Sequence, residues 1–532
     1  MRTKVLGLGL GPTLTVLAAL VLGACASDST ESKGVGDNGT NTDGTNPTDD
    51  PNNPGTSDPT NPEAPPAPLA ENIAITDIAF FQGVKVLTVK GGEKVSKRNA
   101  PVVAHRPGVL RVYVAPQSGW SAREVTGELR ITAGGRKLPI VRDTKKISAA
   151  SKDEDTKSTF NFEITSDMLT ADATFQVAIT AEDGVRVDGD SDARWPKDGS
   201  QEEVGAQVSG KLKIVVVPIQ YNTDGSGRTP DVSAGQLERY RQTFMARYPA
   251  SEVEITKHAP YPWTTTIAGN GTGFSSVLRA MTQLRQTERP AKDVYYYGLL
   301  APTSSMGTFC NGGCVTGLST VVENPGTASM RASVGVGFPG QESANTMAHE
   351  VGHAHGREHA PCGGANGVDP KFPYQGGVIG VWGYNILTKA FIAPTKGRDM
   401  MGYCPNEWVS DYTYSALFTR ISTIATEKPG GATTGTGTGT SSSSSHTFQV
   451  ATVTADGSLV ADGDLDLSDE ELEAGEAHEA TFVGANGIAV AKTNARYFPF
   501  DHLPGGWVVL PKDVAVPYTQ VKVSGFAKTL AH

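Results

Sequence analysis

The sequence predicts a multidomain chain in which an α/β domain sits between two β-sandwich-like domains. Three observations lead there. Residues 71–208 and 446–532 carry strand-like patterning with almost no helical periodicity, and residues 209–428 alternate strands with amphipathic helical stripes. The third is the stretch His349-Glu350-Val351-Gly352-His353-Ala354-His355-Gly356-Arg357-Glu358-His359, which falls on one of those stripes.

The chain opens with Arg2 and Lys4, then an apolar stretch from Val5 to Leu22 that ends Leu22-Gly23-Ala24-Cys25. A short positive region, an apolar core and small residues before a processing site make residues 1–25 an export signal rather than a membrane span. Gly7, Gly9, Gly11 and Pro12 interrupt the run, which suits that reading. The ending resembles a bacterial lipobox. That resemblance implies an acylated Cys25 as first mature residue, hence an extracytoplasmic lipoprotein attached to a membrane without spanning it; the alternative is an ordinary signal peptide cleaved nearby. Residues 26–70 are mostly Asp, Asn, Thr, Ser, Gly and Pro, with too little apolar content to fold, and read as a hydrated tether. The net charge of −10 excludes a basic surface for nucleic acid. Much of the acidity lies in the tether and between Asp462 and Glu479.

Between 71 and 208, the segments Ile73–Ile78, Val109–Val114, Phe160–Ile164 and Phe175–Ile179 alternate or run apolar between turn residues, as in an immunoglobulin-like sandwich. Asp188-Gly189-Asp190-Ser191-Asp192 reads as a solvated turn. The character changes at Lys211–Ile219, a continuous apolar strand of the kind buried in parallel sheets. Leu237, Tyr240, Phe244 and Tyr248 then recur at helical spacing, ended by Pro249. A strand at Val253–Ile255, a stripe of Phe274, Val277, Met281 and Leu284, and a strand from Asp293 to Leu300 follow. This order predicts a three-layer domain over 209–428. A helix from Ser343 to His355 carries the histidine motif with Ser343 as N-cap, and a last helix runs from Asp411 to Ile424.

The motif has a physical logic. Histidines four apart on a helix lie about 40° apart around its axis, so His349 and His353 reach one metal ion. Gly356 can take the left-handed conformation that ends the helix and turns the chain, bringing His359 back as a third ligand. Three imidazoles leave the fourth position of a zinc ion open, the mark of a catalytic rather than a structural site. Glu350 then stands where it can act as general base on a water made acidic by zinc. His355 lies roughly 240° from His349 and points away from the metal, as a surface or supporting residue. The other histidines, His105, His258, His446, His478, His502 and His532, read as solvated or structural.

Downstream comes Asp399-Met400-Met401-Gly402-Tyr403-Cys404. With this segment after the long motif, the chain resembles the metzincin clan of zinc endopeptidases, whose motif is followed by a methionine turn. The resemblance implies that Met401 underlies the zinc, with Met400 as alternative, and that Tyr403 is a switchable ligand or oxyanion stabiliser; a core tyrosine is the competing reading. Within the clan the chain looks most similar to bacterial extracellular StcE-like proteases, which cut mucin-type glycoproteins. The resemblance also implies that the strand before the motif helix, Ala332–Phe338, is an edge that pairs with extended substrate.

Beyond Cys25, four cysteines in an exported chain suggest two disulfides. Of three pairings, Cys310–Cys314 with Cys362–Cys404 is favoured, the second bracing the methionine turn. Residues 429–445 are a Gly/Thr/Ser linker, and 446–532 a small β-sandwich accessory module. Asp462-x-Asp464-x-Asp466-x-Ser468-x-Glu470-x-x-Glu473 has oxygens at the offsets of a calcium loop. Leu467 stands where that loop needs glycine, which favours an acidic surface turn over calcium. The reading is a lipid-anchored zinc endopeptidase acting on protein or glycoprotein substrates. The alternatives are a surface adhesin that uses the zinc domain as scaffold, and an amidase of cell-wall peptides. The intact Glu350 argues against the first, since a scaffold needs no base.

Overall fold

The computed structural model describes residues 61–62, 64–426, 445–454 and 456–531. The expected export signal, Cys25, most of the tether and nearly all of the linker lie outside the described residues. The described chain is multidomain and mostly sheet, with few helices. None of the described helices is long and apolar enough to cross a membrane.

Two antiparallel sheets are built from residues 73–203. The first runs in the order Glu93–Lys94, Lys85–Lys90, Ile73–Phe81, Gly108–Pro116, Phe160–Ile164. The second centres on Arg123–Ala133, flanked by Val141–Ile147 and Thr174–Thr180. They share one core, in which Phe80 of the first meets Phe175 of the second edge-on at 5.8 Å. Gly127 makes the close approach possible, since a Cβ there would lie 2.7 Å from the Phe160 ring.

The central sheet is mostly parallel, in the order Glu252–Lys257, Lys211–Tyr221, Val294–Leu300, Ala332–Val336, Gly317–Ser319, and only the last strand is antiparallel. Strand Val294–Leu300 explains its own apolar run. Tyr295, Tyr297 and Leu299 face a core shared with helices Ala234–Arg247 and Gln341–Ala354. Tyr296 and Leu300 face the opposite core under helix Phe274–Glu288. Both faces are covered, so alternation gives way to continuous hydrophobicity. Ala332–Val336 is therefore an interior strand, not the edge expected from the resemblance. The edge is Gly317–Ser319, which comes earlier in sequence and pairs back onto it.

The motif helix begins at Gln341, and its N-cap is Gly340, three residues before the expected Ser343. Ser343 lies inside the first turn and donates to the Phe338 carbonyl at 2.6 Å. The final helix spans Asp411–Thr426.

Residues 445–531 form one continuous seven-stranded antiparallel sheet, in place of the two packed sheets expected of a sandwich. Its strands bury both faces. Val508 and Leu510 point into the module's own core, while Trp507 and Val509 join the core under helix Phe274–Glu288. The calcium-like acidic segment lies in strand Leu459–Ser468 and helix Asp469–Glu473, not in a loop, and its carboxylates are engaged by protein. Asp462 meets Arg279 at 3.3 Å, Asp464 meets Lys512 at 2.6 Å, and Asp466 accepts from Thr447.

Candidate metal centre and active site

The motif helix presents His349 and His353 on one face, and its last turn closes at His355. Gly356 follows at φ 77°, and a Cβ there would strike Arg420 Nη2 at 2.4 Å. That left-handed residue returns the chain so that His359 faces the same point. Each ring is held from behind: Nδ1 of His349 bonds to the Met400 carbonyl at 2.6 Å, that of His353 to the Arg357 carbonyl at 2.5 Å, and that of His359 to the Asn366 carbonyl. A carbonyl can only accept, so all three Nδ1 atoms carry the proton.

The Nε2 atoms are therefore lone pairs turned toward one another, those of His349 and His353 only 2.9 Å apart. Neutral lone pairs at that spacing repel, and a cation between them makes the arrangement favourable. Zn–N bonds of about 2.0–2.1 Å in a tetrahedron place nitrogens about 3.3 Å apart, close to what the chain provides. Burial, followed by the neighbouring His359, pushes His349 down to about 3, and burial also lowers His353 and His359. The rings stay neutral and available as ligands. The donor set fits zinc.

Met401 and Met400 are both buried. Met401 packs under the helix against Gly352, whereas Met400 contributes its carbonyl to His349. Asp399 fixes this turn, accepting from the backbone N–H groups of Met401 and Ser410 at 2.9 Å each. Tyr403 is 43% exposed, and its hydroxyl lies 3.0 Å from Nε2 of His359. The two disulfides are Cys310–Cys314 and Cys362–Cys404. The second ties the segment after His359 to the residue after Tyr403.

Glu350 is fully buried, and its carboxylate occupies space left by Gly317, where a Cβ would lie 2.2 Å from Oε1. His502, read from sequence as solvated or structural, completes the cluster together with Asp501, which the sequence did not single out. Asp501 and His502 arrive from the turn between Ala489–Pro499 and Gly506–Pro511 in the C-terminal sheet. Nε2 of His502 lies 2.9 Å from that of His349 and 3.5 Å from Oε1 of Glu350. Asp501 Oδ2 lies 3.4 Å from Nε2 of His353. Among the described residues, neither Glu350 oxygen has a hydrogen-bond donor. Burial, then the Asp501 carboxylate, pushes Glu350 well up, and burial lifts Asp501 to about 6, so the pair is placed to share a proton. An Asp-His pair inside a Pro/Gly-rich turn was the only sequence signal for this contribution.

His355 does point away from the metal but is no surface residue. It is 2% exposed, stacked on Tyr295 at 4.3 Å, with Nδ1 bonded to the Val351 carbonyl. A cleft of about 910 Å³ opens beside the cluster, with His349, Glu350, Tyr403 and His502 on its walls and Val315 and Thr316 leading into the edge strand.

Comparison with curated proteins finds none that matches this chain. The family model described as Peptidase M66 matches residues 264–407, which take in the histidine motif, both disulfides, Met401 and Tyr403 but not Asp501 or His502. That match supports a zinc metallopeptidase.

Proposed function

We propose that this chain is an exported, lipid-anchored zinc endopeptidase of metzincin type that cuts extracellular proteins or glycoproteins. The observation that carries the reading is the convergence of three Nε2 atoms, each with its Nδ1 committed to a carbonyl, beside a buried carboxylate on the wall of an open cleft.

His349, His353 and His359 would hold the ion. Zinc, when bound, supplies Lewis acidity that acidifies a water and polarises a carbonyl. Glu350 accepts the proton of the attacking water and passes it to the departing amine. Substrate lies extended along Gly317–Ser319, the sheet-edge strand nearest the cleft, where backbone pairing would fix its direction. The Tyr403 hydroxyl, 3.0 Å from His359, stands where it can donate to the developing oxyanion. Met401 supports the motif helix from below without ligating. Export and lipid anchoring rest on residues 1–25, and the glycoprotein class on the StcE-like resemblance.

The test combines metal content with cleavage. The intact protein should bind one zinc per chain, His349→Ala should lose it, and Glu350→Ala should keep it. Cleavage of casein or mucin should stop with a chelator and in Glu350→Ala. Undiminished cleavage by Glu350→Ala would sink the mechanism. Mucin binding at full zinc occupancy with no cleavage by any form would favour an adhesin.

A further inference from the structure

The C-terminal sheet does more than pack beside the central one. Its outward face (Phe448, Val450, Phe498, Phe500, Trp507 and Val509) merges with Phe274, Val277 and Met281 into one core. A polar frame surrounds that contact: Arg279 meets Asp462, and Gln283 and Gln286 donate to the Asp464 and Asp466 carbonyls at 2.5 and 2.6 Å. From this base the turn 500–505 reaches the metal cluster. Phe500 bridges to Thr320 in antiparallel fashion, and Ser319 N–H donates to Asp501 Oδ1 at 3.1 Å. The turn thus extends the pairing of the same edge strand that borders the cleft. Leu503 seats over Gly271, where a Cβ would lie 2.5 Å from Cδ2 and where φ of 92° favours glycine.

The consequence is chemical. Three imidazoles leave a coordination position for water; a fourth nitrogen closes it. Nε2 of His502 stands 2.9 Å from that of His349, and all four ring nitrogens fall within 4.8 Å of one another. Asp501 faces Glu350, so the base meets a carboxyl group instead of a water. We propose that the C-terminal sheet is a built-in cap: His502 ligates the metal as a fourth nitrogen, Asp501 occupies Glu350, and the site is latent until the turn 500–505 withdraws. The proposal rests on the zinc reading above.

The test uses the intact protein loaded with cobalt(II) in place of zinc, followed by its visible spectrum during titration with acetohydroxamate, a small bidentate ligand. His502→Ala should bind acetohydroxamate at least tenfold more tightly than the unaltered protein. It should also bind zinc about 10–100-fold more weakly while cleaving peptides faster. Leu503→Glu keeps the imidazole but removes the seat of the turn, and should show the same gain in acetohydroxamate binding. Acetohydroxamate binding equal in all three forms, with zinc affinity unchanged by His502→Ala, would overturn the cap while leaving the three-histidine site intact. Failure of every form to bind cobalt or zinc would overturn the metal reading, and the cap with it.

Discussion

Gly352 lies directly over Met401: a Cβ on the glycine would stand 2.5 Å from the methionine Sδ and 3.1 Å from its Cε. Gly352 sits one position before His353, so whatever lifts the helix here also moves a ligand. Alanine in place of a helical glycine would ordinarily stabilise by up to about 1 kcal/mol. Here the overlap should outweigh that gain, since overpacking a closed core costs about 1–3 kcal/mol. Gly352→Ala should lower the melting temperature and weaken zinc binding. Met401→Ala in the same chain should restore much of the loss, and additive effects in that double-mutant cycle would show that the two side chains do not meet.

The space beside Gly317 belongs to Glu350. A Cβ at residue 317 would fall 2.2 Å from Oε1 and 2.5 Å from Cδ, too close for any rotamer adjustment of the alanine methyl. Gly317→Ala should therefore displace the carboxylate while leaving all three imidazoles anchored. The turnover number should fall by about 10²–10⁴-fold, the usual contribution of a positioned base. Zinc content should stay at one per chain, and its loss would mean that the strand, rather than the carboxylate, had moved.

Cys362 and Cys404 close a loop across 42 residues, with Cα atoms 5.6 Å apart. That loop holds Asn366, whose carbonyl orients His359, and Met400, whose carbonyl orients His349. The chain-entropy model assigns such a crosslink about 4 kcal/mol. Replacing both cysteines by serine should lower thermal stability by several degrees in the zinc-loaded form. The loss of zinc affinity should be larger than in a Cys310→Ser/Cys314→Ser chain, whose bridge spans four residues. Equal effects from the two pairs would argue that the longer bridge does not brace the ligands.

The convergence of the three motif histidines was legible because it is local. Helical period and one left-handed glycine suffice to aim His349, His353 and His359 at a point. The start of that helix was not, because Ser343 spends its hydroxyl on the Phe338 carbonyl rather than on a cap. The direction of His355 followed from the same period. Its burial did not, since the partner is Tyr295, some sixty residues earlier on the central sheet. Asp501 and His502 were illegible for a stronger reason. They reach the cluster only through docking of a whole sheet onto helix Phe274–Glu288, and no short-range pattern encodes such a contact. The C-terminal strands misled for a related reason: a strand buried on both faces reads the same in a sandwich as in one sheet pressed against a neighbour.

Arg106 joins the N-terminal sheets to the central domain with no carboxylate of its own. Fully buried, it donates from Nε to the Gln82 carbonyl and from Nη1 to the Ala250 carbonyl, each at 2.9 Å, and from Nη2 to the Met245 carbonyl. Gln82 in turn takes the Val103 N–H and donates to the Val103 and Arg106 carbonyls, so the network is closed. Burial lowers the affinity of the guanidinium for its proton, with the neighbouring Tyr414 acting in the opposite direction. Arg106→Leu would strand all three acceptors away from water, at a cost on the order of 3 kcal/mol. Because Met245 and Ala250 flank the end of helix Ala234–Arg247, which packs against the motif helix, the loss should spread beyond the N-terminal sheets. A single, lowered unfolding transition in calorimetry is expected. Two separate transitions, with the zinc-dependent one unmoved, would show that the N-terminal sheets fold independently of the site.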